Sequence, residues 1–106
     1  MIVDILGTKY DVRIRTEKED PDLKNLNGYC MTLSKTIAVD DKQNNIEGQD
    51  DITKRTLRHE ILHAFFYESG LDNEAPWSSA EEQLVDWIAL QLPKIVKACQ
   101  EVGALE

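Results

Sequence analysis

The stretch His59-Glu60-Ile61-Leu62-His63 carries the strongest structural signal in this sequence. On an α-helix, two histidines four residues apart lie on the same side, one turn apart, so their ring nitrogens can converge on one metal ion. The glutamate after the first histidine then lies close enough to reach a water molecule held by that ion. The sequence contains two histidines, and both are in this stretch. The spacing therefore predicts a helix that binds a metal ion.

The residues on either side predict the limits and the packing of this helix. Asp50 or Asp51 can cap its N-terminus, and Gly70, which tolerates a left-handed backbone, should follow its end near Ser69. At about 100° per residue, one side is apolar and consists of Leu57, Ile61, Ala64 and Phe65. The histidines lie on roughly the opposite side, so the helix should pack with one face and line a cleft with the other. A solvated face is expected for the basic residues Lys54, Arg55 and Arg58.

The segment before the helix predicts short strands. Residues 2–16 are expected to form a β-hairpin, because apolar and charged residues alternate in its second half and Gly7 supplies the turn. Two further strands are expected at 29–31 and 36–39. The segment 40–51 is expected to be a solvated loop, because it lacks the glycine and glutamate spacing of a calcium-binding EF-hand.

A second helix is predicted after a loop at 71–77. Ser78 or Ser79 can cap it, and each has a glutamate three residues later, which is the spacing of a capping box. Its apolar face consists of Leu84, Val85, Ile88, Ala89 and Leu92. Pro93 is expected to kink this helix, or to end it and start another one.

Length, charge and composition restrict the classes of function. The 106 residues predict a single domain, 1–106. The formal net charge of -8 argues against binding nucleic acid or an anionic membrane through bulk electrostatics. No apolar run approaches the roughly 20 residues that span a bilayer, and no signal peptide is visible, so a cytoplasmic location is expected. Cys30 and Cys99 lie outside any CxxC spacing, which favours two free thiols over a disulfide or a redox pair.

A catalytic zinc site usually has three protein ligands, so a third one must come from elsewhere in the sequence. No third histidine exists, and the cysteines lack a metal-binding spacing, which leaves a carboxylate. Glu82 follows His63 by nineteen residues, and Asp86 lies one helical turn further on the same face. One carboxylate of such a pair can bind the metal while the other accepts the free ring N–H of a histidine ligand. Glu81 is the alternative third ligand if the helix is rotated.

With these residues the sequence resembles the gluzincin metallopeptidases, and within them the small ImmA/IrrE-type proteins of phages and mobile elements. The resemblance lies in Thr56-Leu57-Arg58-His59-Glu60-Ile61-Leu62-His63-Ala64, followed by Glu82-Gln83-Leu84-Val85-Asp86-Trp87-Ile88-Ala89. It covers roughly residues 28–92. The first pattern, HExxH, is specific for such enzymes, and the second, E-x-x-x-D, is less so.

The resemblance implies a role for each matching residue. The ligands of one Zn²⁺ per chain would be His59, His63 and Glu82. Glu60 would be the general base toward a metal-activated water, and Asp86 would orient His59. Related peptidases usually supply a histidine or tyrosine that stabilises the oxyanion. The tyrosines here are Tyr10, Tyr29 and Tyr67, and Tyr67 is the preferred candidate because it lies one turn after His63. The edge strand on which an extended substrate pairs would consist of Thr36, Ile37, Ala38 and Val39.

Together these features predict an α+β fold of the zincin type, in which a small, mostly antiparallel sheet packs on the HExxH helix and on a C-terminal helix that bears the third ligand. The leading prediction for function is a cytoplasmic zinc metallopeptidase that hydrolyses peptide bonds of a protein or peptide substrate, with neither nucleic acid nor membrane as a partner. The alternative is a zinc-binding protein-interaction module without proteolytic activity. Glu60 opposes this alternative, because a structural site needs no base. A degenerate domain without metal is a third possibility.

Overall fold

The computed structural model describes residues 1–41, 48–71 and 79–105, which form a small α+β fold. In chain order the elements are β1 (Ile2–Ile5), β2 (Thr8–Arg15), a short 3-10 helix (Pro21–Leu23), β3 (Gly28–Met31), β4 (Thr36–Asp40), α1 (Gln49–Glu68) and α2 (Ser79–Glu101). The strands form one sheet in the order β1-β2-β4-β3. The pair β2–β4 is parallel, and the other two pairs are antiparallel. The α+β class is confirmed, and the sheet, predicted as mostly antiparallel, is mixed.

The predicted hairpin of residues 2–16 is present, and the two further predicted strands form a second hairpin. β1 and β2 join through a two-residue turn at Leu6 and Gly7, whose φ angles of 51° and 91° belong to the turn type that matches the twist of a hairpin. The Asp4 carboxylate accepts the Gly7 N–H at 2.8 Å and closes this turn. β3 and β4 form the second hairpin, whose turn ends at Lys35 with a φ of 55°. Local sequence patterns therefore predict the strands correctly.

The hydrophobic core lies between the sheet and α1. Its buried members are Ile5, Tyr10, Val12, Ile37, Val39 and Ala64. Leu57 and Ile61 of α1 pack against them as predicted, whereas Phe65 is 37% exposed, so its predicted place on the packed face is wrong. Within the described residues α2 packs mainly on α1 rather than on the sheet, and it buries Val85 and Ala89. The helix α1 is therefore the middle layer of the molecule.

The ends of the helices match the predictions in part. α1 begins after Gly48, which has a φ of 84° and, as a glycine, has no side chain that could cap the helix. Asp50 and Asp51 lie in its first turn instead, where negative charge still favours the helix dipole. Gly70 follows the helix with a φ of 83°, as predicted. α2 continues through Pro93 as one helix and does not restart there.

Some expectations fall outside the described residues. Residues 42–47 of the predicted loop 40–51 and residues 72–77 of the predicted loop 71–77 lie there, and so do the side chains of Ser78 and Ser79, on which the capping box depends. At both ends of 40–51 the loop prediction is wrong, because Asp40 belongs to β4 and residues 49–51 belong to α1. In the part of the chain that the structure describes, no helix is long and apolar enough to cross a membrane. Cys30 and Cys99 are free thiols, as predicted. Burial raises the pKa of Cys30 to about 12, which leaves this thiol protonated and unreactive.

The order of the strands contradicts the predicted edge strand. Thr36, Ile37, Ala38 and Val39 belong to β4, which pairs with β2 on one side and with β3 on the other. A strand that is paired on both sides has its backbone N–H and C=O groups already bonded, so a substrate cannot add to it. Among the strands that the structure describes, β1 and β3 are at the edges of the sheet.

One polar cluster joins the C-terminal end of α1 to the sheet. The Glu68 carboxylate accepts hydrogen bonds from Thr8 at 3.0 Å, from the Tyr10 hydroxyl at 2.7 Å and from the Lys35 ammonium at 2.8 Å. The Lys35 ammonium also lies 5.6 Å from the centre of the Tyr10 ring and 5.0 Å from that of Tyr67. The bonds from Lys35 and Tyr10 hold the pKa of Glu68 below its ordinary value. The cluster therefore fixes the last turn of α1 on β2 and on the β3–β4 turn.

Replacing Glu68 by Gln should destabilise the protein at neutral pH and matter less in acid. A carboxyl group with a lowered pKa stabilises the fold above its unfolded-state pKa, near 4.5, and this contribution is lost as the pH falls through the folded-state value. Urea unfolding at about pH 7 and about pH 3 measures the difference between the two proteins. It should be larger at the higher pH. Glu17→Gln, at an exposed position, is the control and should show no such dependence. A Glu68→Gln effect that is equal at both pH values would contradict this role of the carboxylate.

Candidate metal centre

The position of α1 between the sheet and α2 places polar side chains in a buried layer. Glu60 is 7% exposed and His63 is 6% exposed, which is unusual for such residue types. The His59 side chain is also mostly covered, with 16% of its surface exposed. Buried polar groups need partners, and α2 supplies them to both histidines from its first turns.

Glu82 of α2 lies directly against both histidines. One of its carboxylate oxygens is 2.8 Å from His59 Nε2, and the other is 3.1 Å from His63 Nε2. The two Nε2 atoms are themselves 3.0 Å apart. The three residues that the resemblance implies as metal ligands therefore converge on one point. Glu82, rather than the alternative Glu81, is the carboxylate that the structure places against both rings.

Asp86 contacts the opposite end of the His59 ring. Its carboxylate lies 2.8 Å from His59 Nδ1, one helical turn beyond Glu82. A neutral imidazole that donates Nδ1–H to this carboxylate has its lone pair on Nε2, which faces Glu82 and His63. Asp86 therefore selects the tautomer of His59 that can bind a metal, as the sequence predicts for this pair. His59 is held between two carboxylates of α2.

The convergence of these atoms requires a proton or a cation between them. An unprotonated Nε2 atom and an ionised carboxylate oxygen are both acceptors, and acceptors about 3 Å apart otherwise repel one another. Two imidazoles and one carboxylate form a donor set that suits Zn²⁺. Atoms bound tetrahedrally at about 2.0–2.1 Å lie roughly 3.3 Å apart, so the ligands need to separate by only a few tenths of an ångström. The arrangement fits one zinc ion.

Glu60 lies beside this point on the inner side of α1. Its carboxylate and one ring nitrogen from each of His59 and His63 all lie within 4.8 Å of one another. Burial, and then the charges of Glu82 and Asp86, raise the pKa of Glu60 to about 7. A buried carboxylate with such a pKa can accept and release a proton near neutral pH.

The surroundings of the cluster are open on one side. The Glu82 and Asp86 side chains are 44% and 65% exposed, whereas His63 on α1 is nearly buried. Solvent therefore reaches the centre from the side of α2. On the side of the sheet, Gly28 of β3 lies so close to Glu60 that a Cβ atom at Gly28 would be 3.3 Å from the Glu60 Cγ.

Tyr67 contacts a different part of the molecule. Its ring is 37% exposed and lies under the Lys35 ammonium, in the Glu68 cluster at the end of α1. The structure thus brings together five of the six residues predicted for chemistry, and the sixth, Tyr67, lies further along the helix. The five residues are His59, Glu60, His63, Glu82 and Asp86.

Two residues near the site are absent from the sequence-based set. Arg58, predicted on a solvated face, instead donates a hydrogen bond from Nε to the Ala89 carbonyl of α2 at 2.7 Å. Pro93 is the sequence signal for this bond, since a proline leaves the carbonyl four residues earlier without its helical partner. The contact of Gly28 with α1 depends on tertiary packing and has no local signal.

No protein-family model matches the sequence, no curated protein matches it, and no solved structure matches its fold. The function therefore has to be inferred from the residues of the site.

Replacing Asp86 by Asn should weaken zinc binding by about 10–100-fold, because the partner that orients a histidine ligand has effects of this size. Glu82→Gln removes a ligand and should weaken binding more. Glu81→Gln, which changes the neighbouring acid in the same turn, is the control and should leave the affinity nearly unchanged. Competition with a chromogenic chelator measures all three constants. If Glu81→Gln weakens zinc binding more than Glu82→Gln does, the third ligand is Glu81 and not Glu82.

Proposed function

We propose that this protein is a zinc-dependent metallopeptidase of the gluzincin type, related to the ImmA/IrrE-like proteins, that hydrolyses peptide bonds of a protein substrate. The observation that carries the proposal is the convergence of His59, His63 and Glu82, with buried Glu60 beside them. A purely structural zinc site has four protein ligands and no use for a base. Here the three proposed ligands leave one coordination position for a reactant, and Glu60 lies beside that position.

The residues would hold one Zn²⁺ through His59, His63 and Glu82, with Asp86 orienting His59. When bound, zinc supplies Lewis-acid chemistry for a water molecule and a peptide carbonyl. Glu60 takes a proton from the water as its oxygen forms a bond with the carbonyl carbon. Glu60 then delivers this proton to the amine nitrogen as the C–N bond breaks. Burial of Glu60 supports both steps, because desolvation disfavours the charged carboxylate and so favours the protonated form that holds the transferred proton.

The edge of β3 is the place where an extended substrate can pair. The Asp40 N–H donates to the Asn27 carbonyl at 2.8 Å, so alternate residues of β3 bond to β4. By this alternation the backbone groups of Gly28 and Cys30 face the free edge. Gly28 also packs against Glu60. A substrate strand added here would run alongside the base, a role that the sequence alone assigned to β4.

A zinc-binding interaction module remains the second candidate. The position of Tyr67 favours it, since the tyrosine predicted to stabilise an oxyanion lies in the Glu68 cluster. Under this alternative the protein would hold zinc and bind a protein partner without cutting it. The cytoplasmic location and the phage or mobile-element setting stay predictions from the sequence.

Glu60→Gln separates the two candidates. In a peptidase the substitution should lower cleavage of an unfolded protein substrate by about 10²-fold or more, because it removes the general base. It should leave about one zinc per chain, since Glu60 is not among the proposed ligands. Elemental analysis of untagged protein and gel-based cleavage assays measure both quantities.

Glu82→Gln is the matched control, because it should lose metal and cleavage together. Zinc binding without cleavage in the wild type, unchanged by Glu60→Gln, would favour the interaction module. A wild type that binds no zinc would refute both candidates.

A further inference from the structure

The second helix, α2, has a backbone carbonyl without its helical hydrogen-bond donor, about one turn beyond Asp86. Pro93 lies inside α2 and has no N–H, so the Ala89 carbonyl, four residues earlier, lacks its helical hydrogen-bond donor. Ala89 is 1% exposed, and water therefore has little access to this carbonyl. A buried carbonyl without a donor is strongly unfavourable, so another donor is needed.

Arg58 supplies that donor from the other helix. Its Nε donates to the Ala89 carbonyl at 2.7 Å, which is a short, charge-assisted bond between α1 and α2. Arg58 directly precedes His59, and Ala89 lies three residues after Asp86. Arg58 and His59, which are consecutive in α1, therefore contact one face of α2 in successive turns.

We propose that Arg58 is a positioning residue, which caps the carbonyl left open by Pro93 and so holds α2 where Glu82 and Asp86 meet His59. This inference rests on the proposed metal centre, because its consequence is a higher affinity for zinc. The contacts of Glu82 and Asp86 with His59 hold the first turns of α2 against α1. The hydrogen bond from Arg58 to the Ala89 carbonyl adds a contact one turn further along α2. Pro93 determines where on α2 this bond can form, because the carbonyls of a regular helix already have helical donors.

The proposal predicts that the effect of Arg58 depends on Pro93. Arg58→Met should weaken zinc binding by about tenfold in the natural background. In a Pro93→Ala background the new N–H bonds the Ala89 carbonyl within the helix, and Arg58→Met should then change the affinity less than about threefold. Chelator competition on the four proteins of this cycle measures the coupling.

Two variants separate the hydrogen bond from the charge. Arg58→Gln removes the charge but keeps an N–H donor at the same distance along the side chain, so zinc affinity should stay within about threefold of the wild type. Lys54→Met removes a positive charge from the exposed Lys54–Asp50 pair of α1 and is the control. By Coulomb's law, the loss of a positive charge alone should strengthen zinc binding slightly. A tenfold weakening in Arg58→Met therefore cannot come from charge.

Equal losses from Arg58→Met in the two backgrounds, or equal effects of Arg58→Met and Lys54→Met, would overturn the proposal. If the wild type binds no zinc, the metal centre itself is refuted. The bond is then judged from the urea midpoints of the same four metal-free proteins. Additive shifts would refute the bond as well, whereas a smaller shift from Arg58→Met in the Pro93→Ala background would retain it as the contact that positions α2.

Discussion

The site depends on the contacts that α2 makes with the ring of His59. Glu82 faces its Nε2 and Asp86 faces its Nδ1, both at 2.8 Å. One carboxylate thereby lies where the proposed metal would bind, and the other favours the tautomer in which His59 could be a ligand. A single turn of helix separates the two acids, so one rigid element controls both functions of the ring.

These contacts are possible because α1 is the middle layer of a small molecule. Its apolar side rests on the sheet, the Glu68 cluster fixes its last turn, and its opposite side is left for α2. The buried position of Glu60 follows from the same layering. Because β3 lies against this part of α1, Glu60, the proposed base, is close to the β3 edge of the sheet, where an extended substrate is proposed to pair.

The electrostatics of the layer favour a cation at one place. The net charge of the chain is negative, and its acidic residues include three that converge with the histidines on the α1–α2 boundary. Burial of Glu60 and, as a smaller effect, repulsion by Glu82 and Asp86 disfavour its charged form, and both raise the pKa of Glu60. A divalent ion would relieve this repulsion, so metal binding and stability of the site should be coupled.

Local patterns in the sequence determined the hairpins, both helices and the spacing of His59, His63, Glu82 and Asp86, because these depend on periods of two and 3.6 residues. The end of α1 at Gly70 follows from the same kind of local rule. Only the tertiary structure decided that β4 lies inside the sheet, that α2 packs on α1, and that Arg58 reaches across to Ala89. Strand order and the contacts between helices depend on residues far apart in the chain. The periodicity of a single segment does not determine which other segments it packs against.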